Sequence, residues 1–409
     1  MKEFFTVMDV DQVLALVGAF PRVPTEPVVL AGATGRVLAR DVVAASDLPG
    51  FARSTVDGYA VQAASTFGAS EGSPALFDVV GAVTMGAAAG VVIAPSQAAR
   101  IATGGALPPG ADSVVMREHA DVLDERTIEV LRSVAPGQHV IADDEDYPAG
   151  AVVASAGRRL RPQDTGVLAA VGTTRVDVFR RPKVAILSTG DEVVPVDAVP
   201  APGQIRDVNS FTLAGLAVDA GATPVALGIV KDDFEALRAA SARAIETCDM
   251  VLVSGGSSVG VRDFTVEVIS SFADSEILVH GISISPGKPT ILARVQSRPF
   301  WGLPGHVASA MIVFARIVKP FLLHLGGIGA PLAQEIRLPA RLSRNLASAQ
   351  GRTDFVRVRV ASGEDGLWAE PILGKSGLLN TMVKADGVIE IAKNDEGLEA
   401  GARVEVILF

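Results

Sequence analysis

Cysteine is almost absent: one thiol, Cys248, in 409 residues. That excludes an internal disulfide and any cysteine-based zinc centre. The thiol falls at an apolar position of an expected helix and reads as a buried, inert group. Aromatic residues make up only 5%, too few for the stacking platforms that grip single-stranded nucleic acid. Positive charge is in deficit, with 36 Lys and Arg against 46 Asp and Glu and a formal net charge of -10. A surface of that sign argues against nucleic acid and against an anionic membrane as partner. A small anionic ligand stays open, because it needs only a local cluster of donors. No apolar run reaches the ~18 residues of a membrane span. The longest stretch, ASAMIVFARIVKPFLLHL, carries Arg316 and Lys319 and reads as a core helix. The start, MKEFFTVMDVDQVLALVGAF, is interrupted by Glu3, Asp9 and Asp11 and does not read as a signal peptide. A cytoplasmic protein is the economical expectation.

What is present is the composition of a folded globular chain, 49% hydrophobic and 20% charged. The length suits about three domains at ~150 residues each. Val10, Val13, Leu14, Val17 and Phe20 recur at helical spacing, with Asp9 as N-cap. Over residues 28–141 short apolar runs alternate with Gly and Pro, the texture of short strands and turns. GRRLRPQDTGVLAAVG returns to helix. Over 183–326 the pattern alternates: KVAILSTG, TPVALGIV and DMVLVSGG predict strands, whereas NSFTLAGLAVDAGA (capped at Asn209 or Ser210), DDFEALRAASARAIETC and VRDFTVEVISSF predict helices. Such alternation predicts a parallel sheet covered on both faces. From about residue 327 strand-like runs such as DFVRVRV, GVIEIA and RVEVILF indicate a small β domain.

In open α/β sheets ligands bind beyond the carboxyl ends of the strands. Four turns follow apolar runs here: STGDE, SGGSSVG, SPGKP and LPGH. Their glycines let backbone approach a ligand, and successive N–H groups form an anion nest, with a following helix adding its positive end. The expected ligand is anionic, a phosphate by preference. The usual nucleotide motifs are missing. No GxGxxG follows a strand, and GISISPGKP departs from a P-loop: Gly281 to Gly287 is one residue too long, and Pro289 stands where Ser or Thr would bind magnesium. Carboxylates gather near the same turns: Asp191 and Glu192, Asp232 and Asp233, and Asp263. Hard oxygen ligands beside a phosphate suit Mg²⁺. Plainer roles compete. Asp232 and Asp233 open a helix, where capping is the favoured role for Asp233; Asp263 suits an early helical turn; the serines of SGGSSVG form a turn. Lys288, held between Gly287 and Pro289, reads as an anion ligand. His119, His139, His280, His306 and His324 show no metal-ligand spacing, and none pairs in sequence with a Ser or Cys nucleophile, so a Ser-His-Asp hydrolase finds little support.

The blocks DLPGFARSTVDGYAV, RIATGGALPPGADSVVM, STGDEVV, GQIRDVNS, SGGSSVGVRDF, PGKP and GLPGHVASA, in this order over essentially the whole chain, resemble the MoeA family. These are molybdopterin molybdenumtransferases, related to the C-terminal E domain of gephyrin. The resemblance implies a multidomain α/β plus β protein with the elongated MoeA-like fold: a doubly wound α/β molybdopterin-binding domain, a β-rich N-terminal insert and a small C-terminal β domain. The expected divisions are a helical/linker subdomain at 1–40 and 142–180, a β-rich subdomain at 41–141, a MoaB/MogA-like α/β domain at 181–326, and the β domain at 327–409. It further implies insertion of molybdate into adenylylated molybdopterin, with cleavage of the adenylate and release of AMP in a divalent-cation-dependent step. The implied partners are a second copy in a homodimer, whose cleft joins the α/β domain of one chain to N-terminal parts of the other, and an upstream molybdopterin adenylyltransferase.

By position in these motifs, the resemblance implies catalytic roles for Asp57, Asp146, Glu192, Asp232, Asp263 and Lys288, with Glu192, Asp232 and Asp263 holding Mg²⁺. Substrate contacts are expected from Thr103; from Ser188, Thr189 and Gly190; from Ser254, Gly255, Gly256, Ser257, Ser258 and Gly260; from Pro286 and Gly287; and from Ser376 in KSGLL. The chain departs from the commonest family pattern at Val56, Asp144, Ser285, His306 and Val307; the loss of a lysine at 285 removes a local positive charge. A gephyrin-like dimeric scaffold that binds a linear peptide is the alternative of a different class, and retention of the matched acids and Lys288 weighs against it. A nucleotide-binding regulator would explain the α/β segment but not the ordered N-terminal motifs.

Overall fold

The computed structural model describes residues 7–255 and 264–409. The strands and helices expected in the alternating region are present as β1 Lys183–Thr189, α1 Asn209–Asp219, β2 Thr223–Val230, α2 Phe234–Thr247, β3 Met250–Ser254 and α3 Phe264–Ser270. Three further strands that the pattern did not indicate follow, β4 Ser275–His280, β5 Ile291–Val295 and β6 Arg298–Leu303. A last helical run, α4 Val307–Leu325, follows. The six-stranded sheet has the order β2-β1-β3-β6-β5-β4. Strands β2, β1, β3 and β6 are parallel, and β5 runs antiparallel to both of its neighbours. The carboxyl ends of β1, β2, β3, β4 and β6 therefore share one edge.

Successive strand residues face opposite sides, and here both sides are apolar. Val184, Ile186, Leu252 and Trp301 enter one core, whereas Ala185, Leu187, Val251, Val253 and Phe300 enter the other. Full burial of each large side chain stabilises by ~1.5–3 kcal/mol. Cys248 lies in the second core as a free, buried thiol, and burial raises its pKa. Helix α4 is long and apolar enough to cross a membrane, but 78% of its apolar window is buried inside the protein. Its Arg316 pairs with Glu335. It is a core helix, as its internal charges indicated.

The N-terminal segment is helical at Val10–Leu14 and tightens to a 3-10 turn at Ala15–Ala19, with the amide of Asp9 donating to Gln12 Oε1 at 3.0 Å. The division implied by the family resemblance groups this segment with the helical/linker subdomain at 1–40 and 142–180. In the structure, Val13, Val17 and Phe20 join the α/β core, and Phe20 meets the Phe321 ring of α4 edge-on at 5.8 Å. An amphipathic helix declares that it has a face to bury, but not against what.

Residues 25–179 form smaller sheets. Thr25–Val29, Arg175–Phe179 and Val37–Leu38 make one of three strands, with the helix Pro162–Ala170 nearby in the same apolar cluster. Within the intervening stretch a six-stranded sheet includes Gly58–Val61 and Gln97–Ile101 as antiparallel neighbours. At the C-terminus five strands close a ring: Thr353–Gly363, Gly366–Pro371, Arg337–Leu342, Arg403–Leu408 and Gly387–Ile391, the last pairing back to the first. Closure leaves these five strands no unpaired edge among themselves, and Leu342, Val358, Ile389 and Val406 fill the interior. The short strand Ile284–Ser285 pairs with Thr353–Asp354 and ties the α/β region to this barrel.

Candidate functional site

The shared carboxyl edge opens into a cleft of about 740 Å³. Ser188 and Thr189 at the end of β1, Ser254 and Gly255 after β3, and Gly305 and His306 after β6 all line it. Three of the turns singled out by sequence thus reach one crevice. The fourth contributes Pro289, and Gly377 and Leu379 of the C-terminal domain complete one wall.

The floor is a hydroxyl network around one buried acid. Asp207 Oδ1 accepts from Ser188 Oγ at 2.9 Å and from the Ser210 amide at 3.1 Å, and Oδ2 accepts from Ser210 Oγ at 2.5 Å. Ser188 and Ser254 hydroxyls lie 3.4 Å apart. The cap expected at Asn209 or Ser210 is supplied instead by Asp207, whose carboxylate bonds the backbone three residues on, an Asx pattern. Two glycines are required by geometry. Gly255 has φ +108°, and a Cβ there would stand 2.1 Å from the Thr189 carbonyl oxygen. At Gly190, φ +144°, a Cβ would meet the Glu192 carboxylate at 2.7 Å.

Among the acids, Glu192 is exposed and lines the cleft. Asp232 is half-buried, and its Oδ1 accepts from Thr189 Oγ1 at 2.7 Å. Asp233 caps α2, accepting from the Ala236 amide at 2.8 Å, the role its position favoured. Asp263, Gly256, Ser257, Ser258 and Gly260 lie outside the described residues. Among the described residues no group of three or more His, Cys, Asp or Glu side chains is placed to hold a metal ion. Pro286, Gly287 and Lys288 form the turn before the lining Pro289; Gly287 has φ +122°, its carbonyl accepts from Thr290 Oγ1 at 2.6 Å, and Lys288 is exposed.

Asp57, Thr103 and Asp146 are not part of this wall. Asp57 Oδ1 accepts from the Thr103 amide at 2.7 Å and from its hydroxyl at 3.0 Å. The amide bond first, then the hydroxyl, holds its carboxyl below the usual range. Asp146 is exposed, with its amide donating to the Leu48 carbonyl at 3.1 Å. None of the three lines the cleft of its own chain.

The motif GQIRDVNS carries Asp207, to which sequence reasoning assigned no role, and Asn209, expected only as a helix cap. Asn209 Nδ2 donates to the Gly305 carbonyl at 2.9 Å and fixes the turn after β6. Sequence reasoning also left His306 unpaired: the structure places its Nδ1 2.9 Å from Ser376 Oγ, 70 residues away.

Three family models match consecutive parts of the chain: "MoeA N-terminal region (domain I and II)" over residues 8–172, "Probable molybdopterin binding domain" over 185–324, and "MoeA C-terminal region (domain IV)" over 339–409. A molybdopterin molybdenumtransferase of Bacillus subtilis is 32% identical over 100% of this chain and 96% of its own length. One of Nostoc is 38% identical over 74% and 70%. The crystal structure of a molybdopterin biosynthesis MoeA protein from Pyrococcus horikoshii superposes with TM-score 0.85 at 32% identity, covering 99% of this chain and 100% of that one. With three regions matched in order and near-full-length relatives above 30% identity, the chain belongs to the MoeA family.

Proposed function

We propose that this chain is a molybdopterin molybdenumtransferase of molybdenum cofactor biosynthesis, acting on adenylylated molybdopterin and molybdate and releasing AMP. The supporting observation is the cleft at the carboxyl edge of the sheet. It has a floor of hydroxyl groups at Ser188, Thr189 and Ser254 and a carboxylate at Glu192, with Asp232 bonded to Thr189, within a chain that aligns end to end with transferases of that name. The Ser254 hydroxyl, whose proton is not given to a carboxylate, suits a phosphate oxygen, and the lining prolines and Val307 suit the flat faces of a heterocycle.

The carboxylates fit a divalent cation: Glu192 is exposed at the rim, and Asp232 uses only Oδ1 toward Thr189. Glu192 and Asp232, with Asp263, would hold Mg²⁺, which would neutralise charge on the pyrophosphate. Lys288 and the backbone amides of the turns would stabilise charge that develops on the phosphate as the adenylate is cleaved. Ser376 contacts substrate from the C-terminal side. Asp57, Thr103 and Asp146 face a cleft only if a second copy supplies them, which favours a homodimer with composite sites.

The decisive experiment supplies adenylylated molybdopterin to the purified chain, with molybdate and Mg²⁺ each present or withheld. AMP release that requires both, accompanied by active cofactor, is the expected result. No release from an intact dimer would sink the transferase reading and turn attention to a peptide-binding scaffold.

A further inference from the structure

We propose that His306 is a positioning residue for oxyanion recognition, which holds the Ser376 hydroxyl as a hydrogen-bond donor toward a tetrahedral dianion at the corner of the cleft. The inference rests on the transferase reading for its natural ligand, molybdate or a terminal phosphate, but not for its geometry.

His306 lines the cleft, and so does Gly377, the residue after Ser376. Their backbones are fixed without the side-chain contact. The carbonyl of Gly305 accepts from Asn209 Nδ2 at 2.9 Å, and that of His306 from the Ala310 amide at 3.0 Å. The Ser376 carbonyl accepts from the Ala308 amide at 3.0 Å, and Gly374 is held by Arg357 Nη2 at 2.7 Å. The 2.9 Å contact between Ser376 Oγ and His306 Nδ1 therefore orients two side chains that already stand together. With His306 exposed and Ser376 half-buried, such a bond adds little to stability, so orientation is its main consequence.

A serine hydroxyl has one proton. If it is given to Nδ1, the oxygen turns lone pairs on the cleft and repels an anion. If Nδ1–H donates to Oγ, the serine proton is free to reach an oxyanion. A bound dianion selects the second arrangement, and His306 thereby makes Ser376 a donor.

An asparagine carboxamide nitrogen can occupy the place of Nδ1, whereas glutamine reaches the place of Nε2. Calorimetric titration of molybdate, and separately of inorganic phosphate, into the full chain discriminates these. For the favoured anion, His306→Gln should weaken binding by about tenfold, the loss of one charge-assisted bond, with unchanged melting. His306→Asn should restore it to within about threefold, and Ser376→Ala should match His306→Gln, with the double variant no worse than either. The anion whose binding changes identifies the occupant. Equal damage by Asn and Gln, no effect of Gln, additive effects, or binding of neither anion by the unsubstituted chain would each overturn the proposal. An unsubstituted chain that shows this pattern yet releases no AMP would sink the transferase reading alone.

Discussion

Asp207 carries more of the cleft than its surroundings in the sequence suggest. Its two oxygens take three donors, two hydroxyls and one amide, in a site where the residue is only 8% exposed. An asparagine would lose the charge that strengthens all three bonds, and its Nδ2, in the place of Oδ2, would require the Ser210 hydroxyl to turn from donor to acceptor. Asp207→Asn should therefore cost about 2 kcal/mol, the usual range for losing hydrogen bonds to a buried charged group, read as a lower urea midpoint. It should also weaken substrate binding, since Ser188 is released from the orientation that brings it to Ser254. A variant with an unchanged midpoint and affinity would show that the network is dispensable.

At the scale of elements, two helices show how local chemistry sets their ends. Helix α2 begins where Asp233 bonds the Ala236 amide. The helix Pro162–Ala170 begins with proline in its first turn, and Asp164 Oδ2 accepts from the Arg161 amide at 2.8 Å and from Arg161 Nε at 3.0 Å. The side-chain bond to Arg161 is the main cause of a lowered Asp164 pKa, opposed by desolvation and helped by Arg158. A carboxyl depressed in the folded state adds stability above its unfolded pKa of ~3.9 and loses it as pH falls through the lower folded value. Asp164→Ala should cost about 1 kcal/mol at neutral pH. Its penalty should shrink as pH falls below ~4, in denaturation curves compared at both pH values. A penalty independent of pH would assign the effect to packing.

At the scale of the whole molecule, the residues matched to the family site fall into two groups. Ser188, Thr189, Glu192, Ser254 and Gly255 line one cleft, whereas Asp57 and Thr103 pair with each other elsewhere in the chain. The proposed composite site between two copies would reconcile them. Mixing chains that carry Asp57→Ala with chains that carry Glu192→Ala would then form heterodimers with one intact cleft out of two. Random pairing makes half the dimers mixed, so about a quarter of full activity should return. Recovery of none would mean that each cleft is built from a single chain.

Apolar runs closed by turns, and apolar residues at a 3.6 period, were enough to foresee β1, β2, β3 and the helices α1 to α3, whereas β4, β5 and β6 were not foreseen. Gly190, Gly255 and Gly287 were legible as turn residues for the same local reason: each needs a positive φ. The segment Val10–Phe20 was legible as a helix, but its burial against α4 was not, since amphipathicity names a face and no partner. Asp207 went unseen because its donors, Ser188 and Ser210, converge only after the sheet has formed. His306 and Ser376 meet only when the barrel docks beside β6. The sequence by itself determined which segments are helix or strand and which turns can cradle an anion, for those follow from backbone and side-chain properties within a few residues. The tertiary structure alone decided which hydroxyl, carboxylate and imidazole groups share a wall, because hydrogen bonds of 2.9–3.4 Å between residues 19 to 70 positions apart are set by how the sheet and the barrel pack.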